Sequence, residues 1–431
     1  MNLYETAREA KNAFYELSVS SIKKRNQILL NLAEMLEQDH EAIYAANDAD
    51  LAAAKEENLA MPLMHRLKFD NGKLKQVQEG LRSLSELDDP IGETVFCHEI
   101  TDGLKLYRVT CPIGVIGVIF ESRPDALVQI ASLAIKSGNA SLLKGGREAL
   151  RTNQALIATV QKALQKEGLP KNSAQLLETR EDVAAMLKED ELIDLIIPRG
   201  SNAFVRYILD HSRIPVLGHA DGVCHVYVDR DANLETAWKV TLDSKTQNLS
   251  VCNAAESLLV HADIAQSFLP SMAELLRDKN VEIRGDDRTS RIIECIPASD
   301  ADWSMEYLDA ILSIRIVDSL EDAIRHINHY GSHHTDCIVT ENKNAAAAFM
   351  RQVDSAGVYQ NVSTRFADGF VYGFGAEVGI ATGKLHARGP MGLDGLTTYK
   401  YKLIGDGHIM AEMKSGLRHY THRVLNENCP L

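Results

Sequence analysis

From Gly114 to Leu242, short apolar runs alternate with stretches that carry apolar residues at helical spacing, and that alternation leaves few folds open to the chain. GVIGVIF leads to an expected helix over 124–136, ASLLK to one over 148–167, AQLLE to 182–187, and DLIIP to 203–209. VCHVYVD leads to a helix with Leu234, Trp238 and Leu242 on one face. Runs this apolar, without polar alternation, are strands buried on both sides, as in a parallel sheet covered by helices. Repeated strand–helix units therefore predict an α/β fold with a doubly wound parallel sheet. A second α/β region follows Cys252. SLLVH, ILSIRIVD, DCIVT and GVYQN read as strands, and 264–276, 320–327 and 343–352 as helices. At 431 residues the chain is too long for one ordinary domain.

Flanking segments break the alternation. Residues 1 to about 90 read as mostly helical, with Ile28, Leu29, Leu32 and Leu36 on one face and a break near Asn71-Gly72. TVFCHEI and LKLYRVT surround Asp102-Gly103, a strong hairpin signal. This ribbon is either an arm toward another subunit or a plain surface hairpin. TYKYKLI, followed by the glycines at 405 and 407 and by HIMAEM, reads as a second ribbon or arm.

Charge and cysteine usage exclude several function classes. Forty-six basic against 60 acidic residues give a formal charge of −14, a poor basis for nucleic-acid binding. Seven scattered cysteines with no CxxC pair make neither a disulfide framework nor a zinc cluster and fit a reducing cytoplasm. The first residues carry Glu5 and Glu9 and lack a signal-peptide core. No apolar run approaches the roughly 20 residues that span a bilayer.

Candidate chemistry is spread along the chain. Cys252 falls in a polar turn between a helix and an apolar strand, a setting for a nucleophile or for a small buried hydrophobe. No GxGxxG follows a strand, but Lys144, Gly145 and Gly146 follow one, as do Arg199, Gly200 and Ser201. Such turns cradle phosphates at helix N-termini, or merely connect a strand to a helix. Ser122 with Arg123, and Asn361, Ser363 and Thr364 with Arg365, form two Arg-bearing turns that suit a carboxylate or phosphate, or lie as ordinary surface. HINHYGSHH holds His326, His329, His333 and His334. It fits a solvated helix end better than a metal site, and no metal is expected.

These segments together carry a resemblance. CPIGVIGVIFESRPD, IDLIIPRG, GVCHVYVD, VCNAAESLLVH, HINHYGSHHTDCIVT, NVSTRFADGF and GAEVGIATGKLHARGPMGLDGLTTYKY occur in that order, preceded by NDADLAAA and RLKFD. They resemble the gamma-glutamyl phosphate reductase family of the aldehyde dehydrogenase superfamily, over nearly the whole chain.

The resemblance implies a cofactor domain over 1–93 and 111–250 and a catalytic domain over 251–384. It implies an oligomerisation ribbon and tail over 94–110 and 385–431. It implies NADPH-dependent reduction of L-glutamyl 5-phosphate to L-glutamate 5-semialdehyde, the second step of proline synthesis, through a thioester on Cys252. A neighbouring base or oriented dipoles are then expected to lower the thiol from its free pKa of about 8.5. Lys144 maps to an adenosine-ribose contact, and its turn offers no acidic residue against a 2′-phosphate. Glu306 maps to a nicotinamide-ribose contact. A separate glutamate 5-kinase must supply the acyl phosphate, and a homo-oligomer is expected.

Departures from the family pattern fall at Asn248-Leu249, ahead of the thiol, and at Gly200-Ser201. The oxidising relatives' glutamate base falls near Gly218 or His219, with Asp221 the nearest carboxylate and His219 a candidate base. Their oxyanion Asn falls near Arg123. The rival readings are an aldehyde-oxidising dehydrogenase of the same fold and a non-catalytic nucleotide-binding protein.

Overall fold

The computed structural model describes residues 2–121 and 123–431. Helices Leu3–Leu17, Ile22–Gln38, His40–Glu56, Met61–Leu67 and Asn71–Glu86 open the chain. Their starts follow from local side chains. Asn2 and Glu5 form a reciprocal capping box, Ser21 accepts from the Lys24 N–H, and Asp70 accepts from the Lys73 N–H. The expected break at Asn71-Gly72 is thus a capped helix start. Ile28, Leu29, Leu32 and Leu36 are fully buried and share a core with Ile116 and Val118. Burying each such side chain stabilises the fold by roughly 1.5–3 kcal/mol.

The hairpin follows as β1 (Thr94–Thr101) and β2 (Leu104–Pro112), turning through Gly103 at φ +78°, where a Cβ would be strained. Next come β3 (Val115–Ile119), β4 (Ala140–Lys144), β5 (Ala174–Leu176) and β6 (Leu195–Pro198), all parallel in the order β5-β4-β3-β6. Helix Pro124–Lys136, between β3 and β4, is buried almost all round, which its apolar composition requires.

β7 (Cys224–Val228) departs from expectation. It pairs with β8 (Ala255–His261) and β12 (Thr335–Val339), not with the first sheet. The second sheet runs β10-β9-β11-β8-β7-β12-β13, with β9 at Glu282–Gly285, β10 at Ile296–Pro297, β11 at Ile311–Val317 and β13 at Gly357–Gln360. The passage between the sheets therefore lies before Cys224 rather than at residue 250. A last bridge to the first sheet joins Ile196 and Val216 just upstream. Fully buried parallel strands look alike in sequence, so their pattern does not disclose which sheet they join.

β14 (Gly379–Ala381) and β15 (Gly389–Met391) pair antiparallel, and Val378, Ala381, Met391 and Leu393 return to the core of the first sheet. The catalytic segment expected to run on to residue 384 thus turns back earlier. β16 (Thr397–Ile404) pairs with β2, and β17 (Arg423–Leu425) with β1, so the two expected ribbons form one sheet in the order β16-β2-β1-β17. HIMAEM does not continue that ribbon; Met410–Lys414 is a short helix. No described helix is long and apolar enough to cross a membrane.

Candidate active site

The first sheet steps from β3 to β4 to β5 in one direction, then returns to place β6 on the other side of β3. In parallel sheets of this kind the crevice at such a reversal, beyond the C-terminal strand ends, is where ligands bind. Here it lies between the residues after β3 and those after β6. A cleft of about 510 Å³ opens at that point, with Arg123, Arg199, Gly200 and Ser201 on its wall. Cys252 and Glu306 line it from the other side. The structure thus brings together residues expected separately for cofactor, substrate and catalysis.

Cys252 is half-buried, between helix Leu234–Thr246 and β8. Its loop is pinned from several directions. The Thr364 hydroxyl donates to the Asn253 carbonyl at 2.7 Å, and Asn253 Nδ2 donates to the Ala367 carbonyl at 2.9 Å. Ser363 Oγ accepts from Ser244 Oγ at 3.3 Å. Lys245 Nζ and Glu256 Oε2 meet at 2.5 Å across the base of the loop. Gly222 completes the clamp. A Cβ there would stand 2.3 Å from the Cys252 carbonyl oxygen and 2.7 Å from its Cα, so only glycine fits.

These contacts reassign part of the second Arg-bearing turn. Ser363 and Thr364 are buried and hold the cysteine loop. Asn361, at φ +56°, exchanges hydrogen bonds with the Thr340 backbone at 2.9 and 3.0 Å. None of the three lines the cleft. Arg365 Nε donates to Gln247 Oε1 at 2.9 Å, and after burial Cys252 is the leading charge acting on its guanidinium. Ser122 lies outside the described residues.

The expected lowering of the thiol pKa does not occur. Burial, then Glu306 and Glu377, push Cys252 up to about 12, against a smaller pull from Arg199. Burial dominates because the cleft floor removes solvent from one side of the sulfur. Arg199 is itself held below the usual guanidinium range by burial and by Arg123 beside it. Glu377, not singled out from sequence, is pushed up by burial while accepting from the Gly369 N–H at 2.8 Å. Glu306 Oε2 accepts from Asn202 Nδ2 at 2.6 Å, which ties the nicotinamide-side candidate to the first turn of helix Asn202–His211.

Lys144, Gly145 and Gly146 sit one strand over, at the end of β4. Lys144 is buried, with Nζ 2.6 Å from the Gly145 carbonyl. The turn is not clear of acid as expected: Glu148 folds back so closely that a Cβ on Gly146 would meet its Oε1 at 2.0 Å. Glu121, at the end of β3, is pushed up by burial and then by Glu148. The two carboxylates flank the path from the Lys144 turn toward Gly200, where a Cβ would meet Glu121 Cδ at 2.9 Å.

The histidine run also differs from its reading as a solvated helix end. His329 is exposed, but His326 and His334 are buried, and burial holds them down to about 2 and about 3 respectively. His334 reaches the cysteine: a ring nitrogen from each of His219 and His334 and the Cys252 sulfur lie within 4.8 Å of one another. The signal for His334 was present in HTDCIVT, where the residue directly precedes a buried strand.

Comparison with known proteins agrees with this geometry. The model described as "Aldehyde dehydrogenase family" matches residues 2–311. The chain belongs to the aldehyde dehydrogenase family, and its fold is of that kind. Within the family it groups with the gamma-glutamyl phosphate reductases. Gamma-glutamyl phosphate reductase of Acetivibrio thermocellus is 54% identical over 431 residues, covering 100% of both chains. That of Pelotomaculum thermopropionicum is 55% identical over 428 residues, 99% of both. The crystal structure of gamma-glutamyl phosphate reductase from Thermotoga maritima superposes with a TM-score of 0.93 at 39% identity. It covers 95% of this chain and 100% of its own.

Proposed function

We propose that the chain is an NADPH-dependent oxidoreductase that reduces L-glutamyl 5-phosphate to L-glutamate 5-semialdehyde and phosphate, the second step of proline biosynthesis. One observation carries the reading: the cysteine of VCNAAESLLVH floors a cleft whose opposite wall is the reversal point of a parallel sheet bearing Arg123 and Arg199.

The chain's own groups suit each part of the reaction. Cys252 Sγ attacks the acyl carbon, a C–S bond forms, and the C–O bond to phosphate breaks. The phosphate leaves toward Arg123 and Arg199, whose planar forks match it. Burial keeps the proton on sulfur, so attack needs a base in step with it; His219, with a ring nitrogen within 4.8 Å of the sulfur, is the candidate, whereas His334, held down to about 3, is too weak a base. The nicotinamide cofactor, when bound, supplies hydride to the thioester carbon. Collapse then returns the electron pair to sulfur, the thiol regains its proton, and the aldehyde leaves. The Cys252 N–H faces its own sulfur and is placed to hold the oxygen as charge builds on it.

The cofactor fits the same edge. Gly200 admits a backbone approach between β3 and β6, Glu306 stands beside the thiol for the nicotinamide ribose, and Lys144 serves the adenosine end. NADPH is the form this assignment selects, with Lys144 as the cation for the 2′-phosphate. A separate glutamate 5-kinase supplies the substrate in the cytoplasm, and the β16-β2-β1-β17 sheet joins copies of the chain.

No glutamate stands at Gly218 or His219, and His219 Nδ1 faces the Ile380 carbonyl at 2.9 Å. With that carboxylate missing and His219 committed to the thiol, water attack on the thioester lacks a positioned base of its own, worth roughly two to four orders of magnitude, and is slow in this reading. The test is the reverse reaction, with semialdehyde and NADP+. NADPH formation should depend on added phosphate or arsenate. Steady turnover to free glutamate in phosphate-free buffer would identify an aldehyde-oxidising dehydrogenase instead.

A further inference from the structure

His219, Cys252 and His334 form a cluster whose donor set is that of a soft divalent cation. Each offers one ligand atom, and these atoms all lie within 4.8 Å of one another. A tetrahedral zinc ion, with bonds of about 2.0–2.3 Å, places its ligand atoms about 3.4–3.6 Å apart. The cluster needs to close by about 1 Å to reach that geometry, within the reach of side-chain rotation.

Three further observations point to a ligand here. His219 Nδ1 stands 2.9 Å from the Ile380 carbonyl, which can only accept. The proton therefore sits on Nδ1, and Nε2 carries the free lone pair, the arrangement that outer-sphere carbonyls impose on metal-binding imidazoles. His334 is 1% exposed. Its Nδ1 faces Thr335 Oγ1 at 2.9 Å and Cys224 Sγ at 3.7 Å. Its Nε2 is buried and has no hydrogen-bond partner among the described residues. A buried polar atom left in that condition has lost its water without replacement, a cost that a ligand bond removes. The local field also favours a cation, because Glu306 and Glu377 are the leading charges acting on the sulfur, with Arg199 opposing them more weakly.

We propose that His219, Cys252 and His334 form a reversible site for Zn²⁺ or a cation of similar softness, and that its occupation withholds the thiol from the acyl phosphate. Binding replaces the thiol proton: Cys–SH and M²⁺ give Cys–S–M⁺ and one released H⁺, with no change of oxidation state. The fourth position stays open toward the cleft. The metal site rests on the geometry, burial and local charge of these three side chains; only its inhibitory consequence rests on the reductase reading.

Cadmium and zinc titration of the full-length protein tests the site without reference to activity. Cadmium should bind one-to-one at micromolar concentration, raise the ultraviolet thiolate–cadmium charge-transfer band, and release one proton in weak buffer. The band should vanish in Cys252→Ser. It should require about 10–100-fold more cadmium in His219→Gln and in His334→Gln. Zinc should compete for the same site, and a chelator should reverse both. Near-ultraviolet circular dichroism checks that each variant is folded; should buried His334→Gln fail, the half-buried His219→Gln decides. Binding undiminished in Cys252→Ser or His219→Gln, or no saturation below millimolar cadmium, overturns the proposal. Reductase assays of chelator-treated protein are separate: cadmium binding without reductase activity would count against the reductase reading alone.

Discussion

Lys245 Nζ and Glu256 Oε2 lie 2.5 Å apart with neither side chain exposed, one at each end of the loop that carries Cys252. Glu256 Oε1 also accepts from the Leu308 N–H at 3.2 Å, so the pair ties the loop to the segment holding Glu306. Removing one member of such a pair leaves an uncompensated buried charge. Lys245→Met should therefore destabilise the protein by about 3–5 kcal/mol. Glu256→Gln should cost less, because burial has already raised that carboxyl to about 7. Urea unfolding at pH 7 measures both, and a Lys245→Met change under 1 kcal/mol would contradict the assignment.

The buried thiol sets a pH dependence for alkylation. With Cys252 pushed up to about 12, only the small thiolate fraction reacts. Iodoacetamide should label it about tenfold faster per pH unit between pH 7 and pH 10. A plateau below pH 9 would show a lowered pKa instead. Cys252→Ala should reduce turnover by about four orders of magnitude or more while keeping the urea midpoint.

Buried His326 and His334 make the fold acid-sensitive. Both titrate in the unfolded chain near 6.5 and in the folded one at about 2 and about 3. The unfolded chain therefore binds protons that the folded chain refuses. Their contribution is complete above pH 6.5 and is lost as pH falls toward those folded values, by about 1.4 kcal/mol per pH unit for each ring at full separation. His326 meets Trp303 edge to face at a 5.6 Å centroid distance and does not line the cleft. His326→Gln should remove close to one proton from the slope of stability against pH between 6 and 4. An unchanged slope would place that proton elsewhere.

Cofactor choice should respond to opposite charges at one turn. Lys144→Ala should lower the NADPH-to-NADH ratio of kcat/KM by about tenfold, and Glu148→Gln should raise it by easing repulsion of the 2′-phosphate. Steady-state assays with both cofactors decide. A ratio unmoved by Lys144→Ala would remove that residue from cofactor recognition.

Tyr399, Tyr401, Leu403 and Val424 are 52%, 57%, 59% and 76% exposed on the β16-β2-β1-β17 sheet, an apolar face that favours burial against another chain. Light scattering at micromolar concentration should give a homo-oligomer, and Leu403→Lys with Val424→Lys should lower its mass. A wild-type monomer would refute the arm.

Much of this was legible because the relevant forces are local. GVIGVIF, ASLLK and DLIIP are apolar, bounded by turn residues, and became β3, β4 and β6 with little shift in their ends. Other features were hidden by the physics of long-range burial. Nothing local marks Lys245 and Glu256 as a pair; the fold closes them on each other. His334 sits in a polar run but faces a sulfur 82 positions away in sequence order from residue 252 to residue 334. Asn361, Ser363 and Thr364 have the chemistry of a ligand turn, yet they bond the Thr340 backbone, the Asn253 carbonyl and Ser244. Register between distant strands assigned β7 to the second sheet, and no local pattern encodes that pairing.

Lys105 and Glu427 meet at 2.6 Å although 322 positions separate them, and β2 bonds along its whole length to β16. A ribosome adding about 5–20 residues per second therefore makes β2 roughly 16–64 s before residue 427 emerges. Through that interval the β1–β2 hairpin offers unpaired edges to every neighbouring nascent chain. Birth of the molecule thus contains a window of stickiness that ends only with its final residues, and a chain interrupted near its end would carry that window open for good.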